Sequence, residues 1–288
     1  MPMLLIEGSY KVVGSSPDGD SVRFYPNDPD QWDLLRGRRV RRNGSGGAQL
    51  RLDGIDTLET HYRPLHGPEL HQPPPFAQKA ADGLLTWLGF REVTRNGQGI
   101  VTQAVPAEVP GYILTRSADK YGRCVALAGR GKAPGTSGSR IPVDVALLKQ
   151  TANYHQLTEG LAYPTFYRLL YVDLRQEMTK AVKAARSAGK GLWPKDETES
   201  GAKLNGLKSL TESSVVMPKL FRRLADYFVL NDGDPSLAGF PDYLEQRNDR
   251  LFILSNGQST GFDTVVHVTN GSTVRMNHPP EDLVFEEG

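Results

Sequence analysis

The segment Arg51–Glu59 gathers, in a short stretch, residue types that can do chemistry on a phosphodiester. It holds the guanidinium of Arg51, the carboxylate of Asp56 and a potential general base at Glu59. Hard cations bind carboxylate and carbonyl oxygens, and a phosphoryl group in transfer needs positive charge aimed at its oxygens. The motifs Asp18-Gly-Asp20 and Asp119-Lys-Tyr-Gly-Arg123 flank this segment and add the same residue types. Together the three indicate a site for phosphate chemistry.

Each flanking motif also has an ordinary explanation. An Asp-Gly-Asp sequence is common turn chemistry, because Asp bonds its own backbone and Gly accepts a positive φ. The stretch Asp119–Arg123 is equally typical of a hairpin loop that carries exposed cations. Their joint occurrence with Arg51–Glu59, followed by a long helix that ends in Gly-Leu-Trp, is less ordinary. The phosphate interpretation therefore rests on the set and not on one motif.

The elements that must position these motifs are mostly strands. Alternating polarity on both sides of the first Gly/Ser/Pro turn predicts strands and places Asp18–Asp20 at or near a hairpin. Strands are further predicted at 48–52, 99–105, 112–115 and 124–128, and helices at 76–88, 143–150 and 168–187. Strands, a helix, more strands and then helices are typical of an α+β domain, which ends near residue 195.

The remainder of the chain predicts a small α+β appendage. A polar stretch at 195–201 is typical of a linker, and a helix is predicted at 215–230. Strand-like runs follow at 251–254, 264–269 and 272–276, the last two joined by the hairpin signal Asn270-Gly271. We therefore expect domains at 1–197 and 198–288, the second with no role that the sequence assigns.

Composition narrows the class of protein. The 288 residues are 38% hydrophobic and 23% charged, with a net charge of +1 that is positive before residue 200 and negative after it. The first part is therefore the better candidate for binding a polyanion. Cys124 lies in an apolar run and is predicted to be a packed core residue. Neither a secretory signal nor an apolar run of roughly 20 residues is visible, so we expect a cytoplasmic protein without a membrane partner.

At this point the chain resembles the staphylococcal-nuclease-like (thermonuclease) family. The resemblance runs over roughly residues 5–195 and includes Gly160-Leu-Ala162 and Gly189-Lys-Gly-Leu-Trp193 besides the three charged motifs. It implies an α+β fold in which an OB-fold five-stranded β-barrel carries about three helices. The matching positions of the family's site are Asp20, Arg51, Asp56, Thr57, Glu59, Lys120, Tyr121 and Arg123.

The resemblance also implies a role for each position. Asp20 and Asp56 match calcium-binding carboxylates, and Thr57 matches a position that offers its backbone carbonyl. Arg51 and Arg123 match the arginines that grip the scissile phosphate.

Glu59 matches the residue assigned as general base. Lys120 and Tyr121 match contacts to a neighbouring phosphate. Tyr167 lies in the aromatic region near the family's cleft, where base stacking and ordinary core packing are equally good interpretations.

Departures from the family pattern concern the rim of the site. Ser21 stands where Thr is usual and Leu58 where Pro is common, and neither change removes a charge. The connections between the motifs are longer than in small members of the family, and these enlargements change the rim of the site. One of them carries the arginine cluster 36–42, which is either a nucleic-acid clamp or a solvated basic loop.

The leading hypothesis is a calcium-dependent nuclease that hydrolyses DNA, preferably single-stranded, and RNA. The resemblance implies products with 3′-phosphate and 5′-hydroxyl ends. One alternative is a non-catalytic nucleic-acid-binding OB-fold module. Another makes residues 198–288 a protein-interaction module that positions or restrains the nuclease.

Overall fold

The computed structural model describes residues 2–286. Its first part is rich in strands and its α-helices become more frequent toward residue 190. The elements in chain order are β1 (Pro2–Tyr10), β2 (Ser21–Pro26), β3 (Ala48–Leu52), β4 (Ile55–Asp56), α1 (Pro74–Leu88), β5 (Glu92–Arg95), β6 (Val101–Val105), β7 (Val109–Ala118), β8 (Cys124–Arg130), β9 (Arg140–Pro142), α2 (Val145–Leu148), α3 (Ala152–Thr158), β10 (Tyr163–Pro164), β11 (Phe166–Tyr167) and α4 (Val172–Ser187).

The last third alternates short helices with short strands. Its elements are β12 (Ala202–Lys203), α5 (Leu207–Glu212), α6 (Pro218–Leu230), α7 (Phe240–Arg247), β13 (Arg250–Ile253), β14 (Gln258–Gly261), β15 (Val266–Thr269), β16 (Thr273–Met276) and β17 (Leu283–Phe285). Single turns of 3-10 helix occur at Pro29–Leu34, Trp193–Lys195, Phe262–Thr264 and Pro280–Asp282. Among residues 2–286, no helix combines the length and the apolar character that crossing a bilayer requires.

Five strands close into a barrel. The antiparallel pairs β3–β2, β2–β1, β1–β7 and β7–β8 run around it, and the parallel pair β3–β8 closes the ring. In a closed ring each of these strands pairs with a neighbour on both sides, so none is an open edge strand. The short strand β9 adds to β1 at Pro2–Leu4. The expected five-stranded barrel with helices in an α+β chain is confirmed.

The apolar side chains of the alternating strands fill the barrel. On β3 the side chains of Leu50 and Leu52 are fully buried, while Arg51 between them is half-buried. A period of two sends successive side chains to opposite faces, so the core leucines fix which way Arg51 leaves the sheet. Cys124 on β8 is buried with its thiol beside Thr115 (Oγ1–Sγ 3.1 Å), and burial raises its pKa to about 12. The prediction of a core cysteine is confirmed.

The helices follow the apolar spacing with shifts at their ends. Helix α1 begins at two prolines, which suit the first turn, and buries Ala77, Ala80, Ala81, Leu84, Leu85 and Leu88. The helix predicted at 143–150 is shorter in the structure, where it is α2, and α3 beyond it was not predicted. Asp144 caps α2 through its Oδ1 (2.8 Å from the Leu147 amide), and Thr151, between α2 and α3, forms a bridge with Gly129.

The chain folds as two compact units, each built from several separate segments of the sequence. The first takes the chain up to Asp53, with Ala81–Gln156 and Tyr171–Glu177, and contains the barrel. The second takes Gly54–Ala80, Leu157–Leu170 and the chain from Met178 onward. The boundary between Asp53 and Gly54 therefore cuts the Arg51–Glu59 segment. The domain division at residue 197 remains a prediction.

The second unit is built on two small sheets and on helix α6. One sheet has the order β11-β17-β13-β14 and the other β12-β16-β15. Asn270 and Gly271 form the turn between β15 and β16 with φ of 52° and 65°, as the hairpin signal predicts. Helix α6 buries Leu220, Phe221, Leu224, Ala225 and Phe228. Helices α5 and α7 were not anticipated, because each is too short to carry a clear period.

Candidate phosphate and cation site

The barrel places Asp20 and Arg51 on neighbouring strands. Asp20 directly precedes β2 and is 7% exposed, and its carbonyl accepts the amide of Leu52 at 2.8 Å. In the β2–β3 register Ser21 lies opposite Arg51, and on the other side of β3 Arg51 lies opposite Val125 of β8. The strand register therefore brings Asp20 and Arg51 to the same end of β2 and β3.

Arg123 is held by the turn that leads into β8. The Oδ1 atom of Asp119 accepts the amides of Tyr121 and Arg123, both at 2.9 Å, while its Oδ2 accepts Arg123 Nε at 2.7 Å. Gly122 has a φ of 82°, a conformation that favours glycine, and its position allows the turn to close tightly. One carboxylate thus fixes both the turn and the direction of the guanidinium.

Lys120 and Tyr121 project from the same turn. Both are exposed, and the Tyr121 side chain is 66% accessible. The Tyr121 ring centroid lies 5.6 Å from Lys120 Nζ and 5.6 Å from the guanidinium carbon of Arg123. An exposed aromatic between two cations is suited to a phosphate chain with unstacked bases.

Asp56, Thr57 and Glu59 lie in the second unit. Strand β4 pairs antiparallel with β10, so that Asp56 faces Tyr163, and Asp56 is 1% exposed. Thr57 is also buried, and its Oγ1 has no hydrogen-bond partner among residues 2–286. The Glu59 side chain retains 15% exposure. Two oxygen-bearing side chains and a potential base therefore share one short segment.

Gln72 fixes the backbone at Glu59. Gln72 is fully buried. Its side-chain Oε1 accepts the backbone amide of Glu59 at 3.2 Å, and its backbone amide donates to the Glu59 carbonyl at 2.9 Å. Its Nε2 donates to the carbonyl of Val216 at 2.8 Å, just before α6 begins. The Pro-rich loop after Glu59, residues 61–73, is thereby tied to the start of α6.

Arg222 on α6 reaches the two carboxylates, and sequence reasoning missed it. Its Nη2 lies 2.6 Å from Asp56 Oδ2, and its Nη1 lies 3.2 Å from Asp56 Oδ1 and 2.5 Å from Glu59 Oε1. Burial alone lowers the pKa of Arg222, but the charges of Asp56 and Glu59 raise it well above its ordinary value. The guanidinium therefore stays charged and bridges both acids.

Packing on both sides of Arg222 explains its position. The Tyr62 ring meets Phe221 edge-on at 5.9 Å between centroids, and the Tyr62 hydroxyl donates to Asp226 Oδ1 at 2.8 Å. Arg223 points elsewhere, with Nε and Nη2 on Asp249 at 2.5 and 2.8 Å. The Arg-Arg pair inside an amphipathic helix was the only sequence signal for these contacts, and it names no partner.

Tyr167 also lies in the second unit. Strand β11 runs parallel to β17, with Tyr167 opposite Phe285 and their ring centroids 6.2 Å apart. The ring is half-buried, so packing accounts for one of its faces. Base stacking by Tyr167 remains a prediction.

The oxygens of Asp56 and Thr57 suit the calcium ion that the family implies, but Arg222 occupies the Asp56 carboxylate in this structure. Carboxylate and threonine oxygens are suitable donors for a hard cation. Both carboxylate oxygens of Asp56, however, accept hydrogen bonds from Arg222. Within residues 2–286 no group of three or more His, Cys, Asp or Glu side chains is arranged to hold a metal. A divalent cation at Asp56 therefore requires Arg222 to move.

The closed barrel, with Asp20, Arg51 and Arg123 on its strands and turns, defines an OB-fold protein. Residues 49–195 match the family described as staphylococcal nuclease homologue, which is just over half of the chain. The chain therefore belongs to the staphylococcal nuclease homologue family, and the resemblance noted in the sequence is confirmed. Asp20 lies outside the matched residues. A comparison with curated proteins gave no match.

Proposed function

We propose that the chain is a calcium-dependent nuclease that hydrolyses phosphodiesters in DNA, preferably single-stranded, and in RNA. The observation that carries the proposal is the family match at 49–195, which spans Arg51, Asp56, Glu59 and Arg123. Products with 3′-phosphate and 5′-hydroxyl ends belong to the same proposal. The family generally acts on nucleic acids, and this chain keeps the charged residues named above, which supports the nuclease proposal.

In this proposal the two arginines bind the scissile phosphate. A guanidinium is planar, stays protonated and matches two phosphate oxygens at once. Asp119 orients Arg123 through Nε, which leaves the terminal nitrogens to face a ligand. Arg51 and Arg123 would then stabilise the charge that grows on the phosphate oxygens during attack.

Glu59 accepts the proton of the attacking water in this scheme. Gln72 holds its backbone from both the amide and the carbonyl, which limits where the carboxylate can go. Lys120 and Tyr121 are exposed on the turn before Arg123, where they would contact a neighbouring phosphate. A base within hydrogen-bond reach of the water is what proton transfer requires.

Calcium remains part of the proposal. When bound, it would polarise the phosphate and lower the pKa of a water. Asp20, Asp56 and Thr57 are the residues that the family resemblance assigns to it. Asp56 becomes available only when Arg222 leaves its carboxylate.

Product analysis tests the reaction type. Single-stranded DNA and RNA with a 5′ label are incubated with the full chain and calcium, and the new 3′ ends are treated with a phosphatase. We expect fragments whose mobility shifts on phosphatase treatment, because a 3′-phosphate is removed. Fragments with 3′-hydroxyl ends from the start would contradict the proposed reaction.

A second function is a nucleic-acid-binding module that does not cleave. The Arg222 contacts favour it, because a guanidinium that neutralises Asp56 and Glu59 removes repulsion of phosphate without supplying a base. Filter binding and cleavage of the same labelled strand separate the two. Tight binding with intact substrate, in calcium as in chelator, would favour the binding module.

We also propose a protein partner bound through residues 198–288, and a cytoplasmic location. Residues 198–288 have a net negative charge, unlike the rest of the chain. A basic partner surface would complement it. Affinity capture with the full chain as bait, at low and at high salt, tests this: a partner held by these charges is lost at high salt.

A further inference from the structure

Arg222 makes the contacts of a bound cation and not those of a surface ion pair. It donates to both oxygens of Asp56 and to Glu59, two residues to which the family resemblance assigns cation and base roles. The Asp56 side chain is 1% exposed and the Arg222 side chain 20%, so bulk water screens the contacts only in part. A buried charge that lost its partner would be costly, and this favours one cation at Asp56 at all times.

Helix α6 holds Arg222 in this position from several sides. Its buried face is mostly apolar, its start is tied to Gln72 through Val216, and Asp226 one turn on accepts from Tyr62. Gln72 and Tyr62 both belong to the loop that follows Glu59. The position of the guanidinium is therefore built into the fold.

We infer that Arg222 is an internal cation that competes with a divalent cation for Asp56 and Glu59, and so restrains the site. The inference rests on the proposed function, because the family's cation position is the one that Arg222 fills. A divalent ion and a guanidinium at the same buried carboxylate carry like charges that repel at close range, so the two compete for Asp56. Calcium must therefore displace Arg222 before it binds.

Calcium binding measured by calorimetry tests the competition. The full chain is compared with Arg222→Met, which keeps length and apolar volume but removes the charge. Arg223→Met is the matched control, because it removes a neighbouring guanidinium that binds Asp249 instead. We expect Arg222→Met to bind calcium at least tenfold more tightly than the wild type, and Arg223→Met to bind like the wild type. Equal affinities for wild type and Arg222→Met would overturn the inference.

A second measurement uses the wild type alone, in case Arg222→Met does not fold. Calcium is titrated while the side-chain Nε–H signals of the arginines are followed by NMR. Displacement predicts that the Arg222 signal shifts with the same midpoint as calcium binding, and that the Arg223 signal stays in place. An Arg222 signal unmoved at saturating calcium would overturn the inference.

Adding Asp56→Asn to Arg222→Met locates the gained site. The double variant removes one of the two charges that the released site offers to calcium. We expect it to lose the tighter calcium binding of Arg222→Met. Tight binding that persists in the double variant would place the ion elsewhere and overturn the inference.

Cleavage assays keep this inference separate from the proposed function. If Arg222→Met binds calcium more tightly and neither protein cleaves single-stranded DNA, the inference stands and the nuclease proposal fails. If both proteins cleave with the same calcium dependence, the nuclease proposal stands and the inference fails.

Discussion

At the scale of single residues, Asp119 does the positioning that Arg123 needs. One of its oxygens accepts two amides of the turn, and the other accepts Arg123 Nε at 2.7 Å. The pair is partly exposed, with side-chain accessibilities of 32% for Arg123 and 13% for Asp119. The pair therefore orients the Arg123 guanidinium more than it stabilises the fold, since exposed pairs contribute little to stability.

The first prediction concerns Arg123. Replacing it by Lys keeps the charge but loses the planar fork, so the cleavage rate constant kcat should fall by about 100-fold or more. Asp119→Asn keeps an acceptor for the turn amides and should lower kcat less than Arg123→Lys does. Steady-state kinetics on single-stranded DNA gives both values. An Arg123→Lys enzyme with unchanged kcat would exclude Arg123 from the phosphate site.

The second prediction concerns stability against acid. Asp249 accepts from Arg223 and from Lys219, whose Nζ lies 3.1 Å from Oδ1. Burial alone raises the pKa of Asp249, but Arg223 and Lys219 hold it well below the usual range. The stabilisation is therefore present above the unfolded pKa of about 4 and is lost as the pH falls below it.

The measurement is urea unfolding of wild type and Asp249→Asn between pH 7 and pH 2. Near neutral pH the variant should lose about 3 to 5 kcal/mol of unfolding free energy, because two cations are left without their partner. The difference should narrow as the pH falls below about 4, because the Asp249 carboxyl of the unfolded chain then takes up a proton while the folded carboxyl, with its lower pKa, stays ionised. A difference that stays constant over this range would contradict the assigned pKa direction.

At the scale of elements, the long connection between β2 and β3 lies against the turn of Arg123. The amide of Arg41 donates to the carbonyl of Gly122 at 2.8 Å, and Val40 beside it is buried. Arg36, Arg39 and Arg41 are exposed, whereas Arg42 pairs with Asp33. A basic loop fixed beside Lys120 and Tyr121 is suited to further phosphates of the same strand.

The third prediction tests this loop. The triple variant Arg36→Gln, Arg39→Gln, Arg41→Gln should bind single-stranded DNA more weakly. Each lost phosphate contact should also flatten the plot of log affinity against log salt concentration, by about 2 units of slope for three contacts. The control is Arg91→Gln, Arg247→Gln, Arg250→Gln, which removes the same charge from exposed positions outside the loop. Equal slopes in the two triple variants would leave the loop as a solvated basic surface.

The elements also show what local pattern can and cannot predict. Strand β3 alternates polar and apolar side chains and strand β8 is a short apolar run, and both patterns predict strands from the sequence. The parallel pairing of Leu50 with Cys124 that closes the barrel is a long-range contact, which no local period contains. The family resemblance supplied the five-stranded barrel but not this pairing. Helix α3 was missed, and Thr151, through its bridge with Gly129, separates it from α2.

At the scale of the whole molecule, the family could be recognised from the sequence, whereas the contacts that the predicted site residues make could not. The charged motifs have distinctive spacing, and the family match confirms the family that they indicate. Arg222 stands 163 positions from Glu59, and only the fold of α6 against the Pro-rich loop brings the two together. The region after residue 197 was expected as an appendage, yet its helix α6 supplies a charge to the Asp56–Glu59 segment.

The restraint by Arg222 has a consequence for calcium dependence. If a divalent ion must displace a guanidinium from Asp56, half-maximal cleavage by the wild type requires more calcium than cleavage by Arg222→Met. The fourth prediction is therefore a lower half-saturating calcium concentration for the variant, by at least tenfold. Cleavage rates measured against calcium concentration give both values, and Arg223→Met should match the wild type.

The central claim is that this chain hydrolyses phosphodiesters with Glu59 as base and Arg123 on the phosphate. Its most direct test is cleavage of labelled single-stranded DNA by the full chain in calcium, compared with the same protein in chelator and with Glu59→Gln and Arg123→Ala in calcium. The account predicts cleavage in the first reaction and a loss of about 100-fold or more in each of the other three. Equal cleavage in all four reactions would contradict it.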